Sequence, residues 1–90
     1  MNCILISPTG REEFQNISSI HLTAMTGEME ILSGHIPVVS ALKSGPALKL
    51  RAGDKVLRFT LAPGSFIRFE NDSAEVLSAQ YSFETEQAEG

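Results

Sequence analysis

Apolar and polar residues alternate along most of this chain with a period of two. Ile20, Leu22 and Ala24 alternate with Ser19, His21 and Thr23. Leu48 and Leu50 alternate with Lys49 and Arg51, and Leu57, Phe59 and Leu61 with Val56, Arg58 and Thr60. In an extended chain successive side chains point to opposite faces, so this pattern puts one face of each strand in a core. No segment carries a convincing helical stripe longer than three turns. Turn residues break the runs at short intervals: Pro8-Thr9-Gly10, Thr26-Gly27, Ser33-Gly34, Ser44-Gly45-Pro46, Ala52-Gly53-Asp54, Pro63-Gly64 and Asn71-Asp72. Gly, Asn and Asp tolerate positive φ, so Gly53-Asp54 and Asn71-Asp72 are predicted as tight hairpin loops. Many short strands at this spacing indicate an all-β sandwich or barrel.

The predicted strands are Cys3–Ser7, Phe14–Ala24, Glu28–Leu32, Pro37–Leu42, Ala47–Leu50, Lys55–Ala62, Ser65–Phe69 and Ala74–Ser78. The long run from Phe14 to Ala24 is expected to bend or bulge and to serve both sheets. Ninety residues make a single domain. Residues 1–82 are assigned to it, and 83–90 are read as an acidic, frayed C-terminal tail.

Charge narrows the function. A net charge of −4 lacks the basic footprint of a nucleic-acid binder. The charges are uneven along the chain. Lys43, Lys49, Arg51, Lys55, Arg58 and Arg68 share their stretch with one acid, Asp54, and every charged residue after Arg68 is acidic. Two readings stay open: solvated strand faces, or a basic surface that meets an acidic partner or anionic head groups. The apolar run Cys3-Ile4-Leu5-Ile6 is too short for a signal-peptide core, and no stretch approaches the roughly 20 apolar residues of a membrane-spanning helix.

Chemistry is hard to find. Cys3 has no partner for an internal disulfide and no neighbouring His, so it reads as a core thiol. His21 and His35 lie far apart with no second Cys or His at metal-ligand spacing. The chain has neither a Gly-x-Ser-x-Gly elbow nor a phosphate-binding GxxxxGK[ST] loop. Glu28 and Glu30 would share one strand face and read as a solvated or partner-facing edge. His21 points away from the core side of its strand. His35 sits in Gly34-His35-Ile36-Pro37, where Gly permits a tight backbone and Pro fixes an extended exit. Its ring either braces this turn or meets a partner.

The block from Thr26 to Gly45, Thr-Gly-Glu-Met-Glu-Ile-Leu-Ser-Gly-His-Ile-Pro-Val-Val-Ser-Ala-Leu-Lys-Ser-Gly, is the most specific part of the chain. It resembles the epsilon subunit of F-type ATP synthases, called delta in mitochondria. Gly27-Glu28 matches that family's acidic loop, Gly34-His35-Ile36-Pro37 its turn, and Val38 to Gly45 its next strand. Ile6-Ser7-Pro8 with Glu13-Phe14, Phe59 to Ile67, and Ala74 to Ala79 extend the likeness over residues 3 to 80. Ser33 stands where the family usually has Pro, which loosens one side of the turn. Pro63-Gly64 stands where Gly-Gly is common. Many relatives continue into a two-helix C-terminal domain that inhibits the enzyme or binds ATP; those properties are not carried over to these residues.

The resemblance implies a flattened antiparallel β-sandwich of about eight to ten strands. It also implies a non-catalytic central-stalk subunit that binds the gamma subunit and the c-ring and couples ion flow to ATP synthesis or hydrolysis. No cofactor, metal or nucleic acid is implied. The complex would lie peripherally on the cytoplasmic face of the bacterial inner membrane, or on the organelle equivalent. Gly27, Glu28, Met29 and Glu30 are expected at the c-ring, and His35, Ile36 and Val38 at gamma. The alternatives are a stand-alone β-sandwich module for a protein or polymer, and a small β-barrel enzyme. The first needs an aromatic-lined groove and the second a His/Glu metal cluster.

Overall fold

A computed structural model describes residues 1–87. Ten strands follow in order: β1 (Asn2–Ser7), β2 (Gly10–Phe14), β3 (Ser19–Ala24), β4 (Gly27–Leu32), β5 (Val38–Ala41), β6 (Gly45–Ala52), β7 (Lys55–Leu61), β8 (Phe66–Glu70), β9 (Ser73–Leu77) and β10 (Tyr81–Gln87). They form two five-stranded sheets, ordered β2-β1-β9-β8-β5 and β10-β7-β6-β3-β4. All pairings are antiparallel except β1 with β9, which run parallel. The expected antiparallel β-sandwich of eight to ten strands is the architecture observed, with this one parallel pair inside it. A hairpin can join antiparallel neighbours, but β1 and β9 lie at opposite ends of the chain and need none.

The alternation in sequence becomes the core. Cys3, Leu5, Ile67, Phe69, Ala74 and Val76 from the first sheet meet Ile20, Leu22, Ile31, Leu48, Leu50, Phe59 and Leu61 from the second. The predicted hairpin loops are present. Asn71 and Asp72 adopt φ 51° and 60°, and Gly53 adopts φ 62°. Both are two-residue loops, with Glu70 paired to Ser73 and Ala52 to Lys55.

The run from Phe14 to Ala24 is two strands rather than one bent strand. β2 ends at Phe14 in the first sheet and β3 starts at Ser19 in the second. Between them Asn16 takes φ 59°, Ile17 is buried, and the Ser18 amide donates to the Arg51 carbonyl at 2.8 Å. The tail is also corrected. Phe83 to Gln87 continue β10, paired along β7, so the sandwich extends past residue 82. Residues 88–90 of the expected tail lie outside the described residues. Phe83 stacks on Phe59 with ring centroids 5.0 Å apart, and the edge of Phe14 closes on both rings at 5.4 Å. One aromatic cluster thus ties β2 of the first sheet to β7 and β10 of the second.

Two buried hydroxyls join the loops at one end. Ser65 Oγ lies 2.6 Å from the Ala62 carbonyl and 2.8 Å from Ser78 Oγ. Ser78 in turn donates to the Gln80 carbonyl at 2.7 Å and accepts from the Ala62 amide at 3.1 Å. A buried polar group without a partner costs about 1–3 kcal/mol, and these have theirs.

Candidate docking surface

The two outer faces of the sandwich differ in kind. On the second sheet, register aligns Glu84, Arg58, Lys49, His21 and Glu30 in one row across the strands. The basic residues Lys49, Arg51 and Arg58 occupy the middle strands. Glu28 and Glu30 flank them on β4, and Glu84 and Glu86 on β10. The charge asymmetry along the chain therefore becomes bands of opposite sign side by side. Arg58 pairs with Glu86, and His21 Nε2 lies 3.9 Å from Glu28 Oε1. This face is largely self-neutralising, which favours the solvated reading of the basic stretch.

On the first sheet, one outward row runs Arg11, Ile6, Leu77, Phe66, Ala41. Val39 stands in the next outward row, 74% exposed, where it is followed by the Arg68–Glu75 ion pair at 3.5 Å, so the apolar surface is the band at one end of this sheet; Met25 is 63% exposed beside it. Met25 is fixed there by its amide, which donates to the Ala41 carbonyl at 2.9 Å. Met25, Val39, Ala41 and Phe66 line one shallow apolar groove; Ile6, Pro8, Leu77 and Ala79 line a second, and Gly64 borders both. Apolar side chains left this way on one contiguous face mark an interaction surface. The run Cys3-Ile4-Leu5-Ile6 carries the same message, since a strand apolar on both sides is ordinarily covered on both sides.

The sequence-predicted residues lie along β4, an edge strand of the second sheet, and on the crossing into β5, an edge strand of the first. Gly27, Glu28, Met29 and Glu30 form most of β4, an edge strand. Glu28 and Glu30 face outward, whereas Met29 packs against the core. His35 and Ile36 lie in the crossing from β4 to β5. Ile36 is 74% exposed. Val38 turns inward onto the core, and its neighbour Val39 is the one that faces out. Period-two reasoning could not separate them, because both faces of β5 are apolar. Val39, Phe66, Leu77 and Met25 were missed for the same reason; the unbroken apolar run in β1 was the available signal.

The turn itself is closely held. Gly34 takes φ 84°, a left-handed conformation that favours glycine. The His35 amide donates to the Leu32 carbonyl at 3.0 Å. Its Nδ1 lies 2.7 Å from the Ile36 carbonyl, and a carbonyl only accepts, so Nδ1 carries the proton. The ring sits edge-on to Phe69 with centroids 6.3 Å apart. His35 therefore braces the turn, and that contact remains compatible with a partner beyond it. From the neighbouring hairpin, Asp72 accepts from Ser33 Oγ at 2.9 and 3.1 Å and from the Gly34 amide at 3.2 Å. The Ser33 hydroxyl, with the Gly34 amide and the Met1 amino group behind it, holds the Asp72 carboxyl below its ordinary range, against a smaller opposing effect of desolvation.

Among the described residues no three His, Cys, Asp or Glu side chains gather to hold a metal ion. Cys3 is fully buried, and burial pushes its thiol up to about 12. Among the described residues no helix is long and apolar enough to cross a membrane.

The sequence model of the family described as "ATP synthase, Delta/Epsilon chain, beta-sandwich domain" matches residues 1–83. The chain belongs to this family. Delta/epsilon relatives include the ATP synthase epsilon chain of Bacillus thuringiensis (strain Al Hakam), 33% identical over 75 residues, which cover 83% of this chain and 55% of that one. The epsilon chain of Bacillus anthracis (strain CDC 684 / NRRL 3495) matches to the same extent. The chain thus spans about half the length of these curated relatives. Its fold is also that of a chain in the cryo-EM structure of the Tetrahymena thermophila mitochondrial ATP synthase central stalk/c-ring. The TM-score is 0.71 at 18% identity, over 91% of this chain and 65% of that one. The delta/epsilon β-sandwich inferred from the Thr26–Gly45 block is therefore the fold observed.

Proposed function

We propose that this domain is a non-catalytic central-stalk subunit of a rotary ATP synthase. It docks on the gamma subunit through the apolar outer face of the first sheet and presents the acidic edge strand β4 to the c-ring. The observation that carries the reading is the apolar face around Val39, Phe66 and Leu77, on a domain of the delta/epsilon family. A stalk must carry torque without slipping. Exposed ion pairs contribute about 0–1 kcal/mol each, so a broad apolar contact suits that load better than rim charges.

The exposed side of β5 runs from Ala41 through Val39 to Pro37 and Ile36, so the Gly34–Pro37 turn lies along the edge of this face, at the far end of β5 from Met25. Glu28 and Glu30 stand outward on β4, open to basic residues in the ring's polar loops. In the cell the domain would sit peripherally, at the cytoplasmic face of the bacterial inner membrane or its organelle equivalent, held there by the complex.

The test is size-exclusion chromatography of the purified chain with its cognate gamma subunit. A stable one-to-one complex, lost on Phe66→Asp, is the expected result. A folded domain that stays apart from gamma at micromolar concentrations overturns the proposal. A stand-alone binding module would then take its place.

A further inference from the structure

We infer that Asp72 is a positioning residue for the Ser33–Pro37 turn, locking that turn, and the exposed Ile36 it carries, against the sheet that bears the docking face. The inference rests on the gamma-docking reading above and adds a residue that the turn motif does not contain.

The first observation is local. Asn71 and Asp72 both have positive φ, at 51° and 60°, in a two-residue hairpin loop. Such loops prefer Asn-Gly, because glycine adopts the second position without steric cost. Asp is tolerated there but is not what the hairpin alone would favour. The second observation says what the carboxylate does instead. Its two oxygens share the single Ser33 hydroxyl proton, at 2.9 and 3.1 Å from Oγ, and one of them also accepts from the Gly34 amide at 3.2 Å. Bonds to a charged acceptor are roughly twice as strong as neutral ones.

The third observation is where these groups lie. Ser33 and Gly34 leave β4 of the second sheet on the way to β5 of the first, while Asp72 caps the β8–β9 hairpin of the first sheet. The contact therefore pins the crossing segment to the sheet it is about to join. Phe69, on the same hairpin, receives the edge of the His35 ring. One hairpin holds the turn at both Gly34 and His35, and Ile36 projects from it, 74% exposed.

The test uses Asp72→Gly, which suits the hairpin backbone and removes the carboxylate. Three quantities are read: the melting temperature, the hydrogen-exchange rate of the Gly34 amide in the free domain, and the dissociation constant for gamma. The melting temperature should hold or rise. Gly34 exchange should quicken about ten-fold or more, and gamma should bind about ten-fold more weakly. Ser33→Ala should weaken gamma binding as well, and the double variant should be no worse than Asp72→Gly alone, since both act through one contact. Unchanged Gly34 exchange, wild-type affinity in Asp72→Gly, or additive losses in the double variant would each overturn the inference. If wild-type protein fails to bind gamma, the docking reading falls, and Gly34 exchange still decides whether the lock exists.

Discussion

At the scale of single residues, two groups depend on protonation in opposite ways. Folding lowers the Asp72 pKa, so its contribution is complete above the ordinary carboxylate value and fades as pH falls through the lowered folded value. The Gly34 amide resonance should therefore follow a titration on acidification that Asp72→Asn removes; a resonance indifferent to pH would contradict the bond. Cys3 goes the other way. Burial holds its pKa near 12, so the thiol stays neutral and shielded at moderately alkaline pH. A disulfide reagent at pH 8.5 should leave native Cys3 unmodified and label it on addition of denaturant. Rapid labelling of the native domain would show that β1 opens locally. Cys3 as a core thiol was legible from its apolar surroundings. The role of Ser33 was not. In sequence it reads as a loosened turn, because its partner is 39 residues away and nothing local joins them.

At the scale of elements, the strands with alternating cores could be read directly: β3, β6 and β7 show one apolar residue in every two. The missed strands are edges. β2, Gly-Arg-Glu-Glu-Phe, and β10, Tyr-Ser-Phe-Glu-Thr-Glu-Gln, are mostly exposed and charged, as edges must be to resist pairing with another molecule. Backbone pairing with β1 and β7 forms them, and pairing leaves little mark on composition. Their apolar anchors meet at Phe59. Phe59→Ala should destabilise the domain by about 3–5 kcal/mol, the usual cost of emptying a buried aromatic site. Phe83→Ala should cost less, since Phe83 keeps 36% of its surface exposed. Urea denaturation of both variants checks the ranking, and equal losses would show that β10 is more firmly held than its exposure indicates. On β4, Glu28→Lys should weaken binding to the isolated c-ring and leave the gamma complex intact. Unchanged ring binding would remove Glu28 from that role.

At the scale of the whole molecule, the sandwich divides its labour between two unlike faces. The second sheet sets bands of opposite charge side by side, with Arg58 paired to Glu86, whereas the outward row on the first sheet is apolar. The fold was legible because inward alternation is a property of each strand taken alone. The proposed docking face was not, because it is assembled from outward residues of β1, β5, β8 and β9 that adjoin only once register is fixed. The Thr26–Gly45 block pointed to β4 and to the crossing that carries His35 and Ile36, and it named Val38, which packs inward, where Val39 faces out. The most direct measurement is a calorimetric titration of the cognate gamma subunit into the wild-type domain, Phe66→Asp and Glu28→Ala, at low and high salt. The wild type should bind one-to-one with little salt dependence. Phe66→Asp should lose about ten-fold or more in affinity, and Glu28→Ala should stay within about two-fold. Binding that survives Phe66→Asp, or that collapses with Glu28→Ala or added salt, would contradict an apolar docking face.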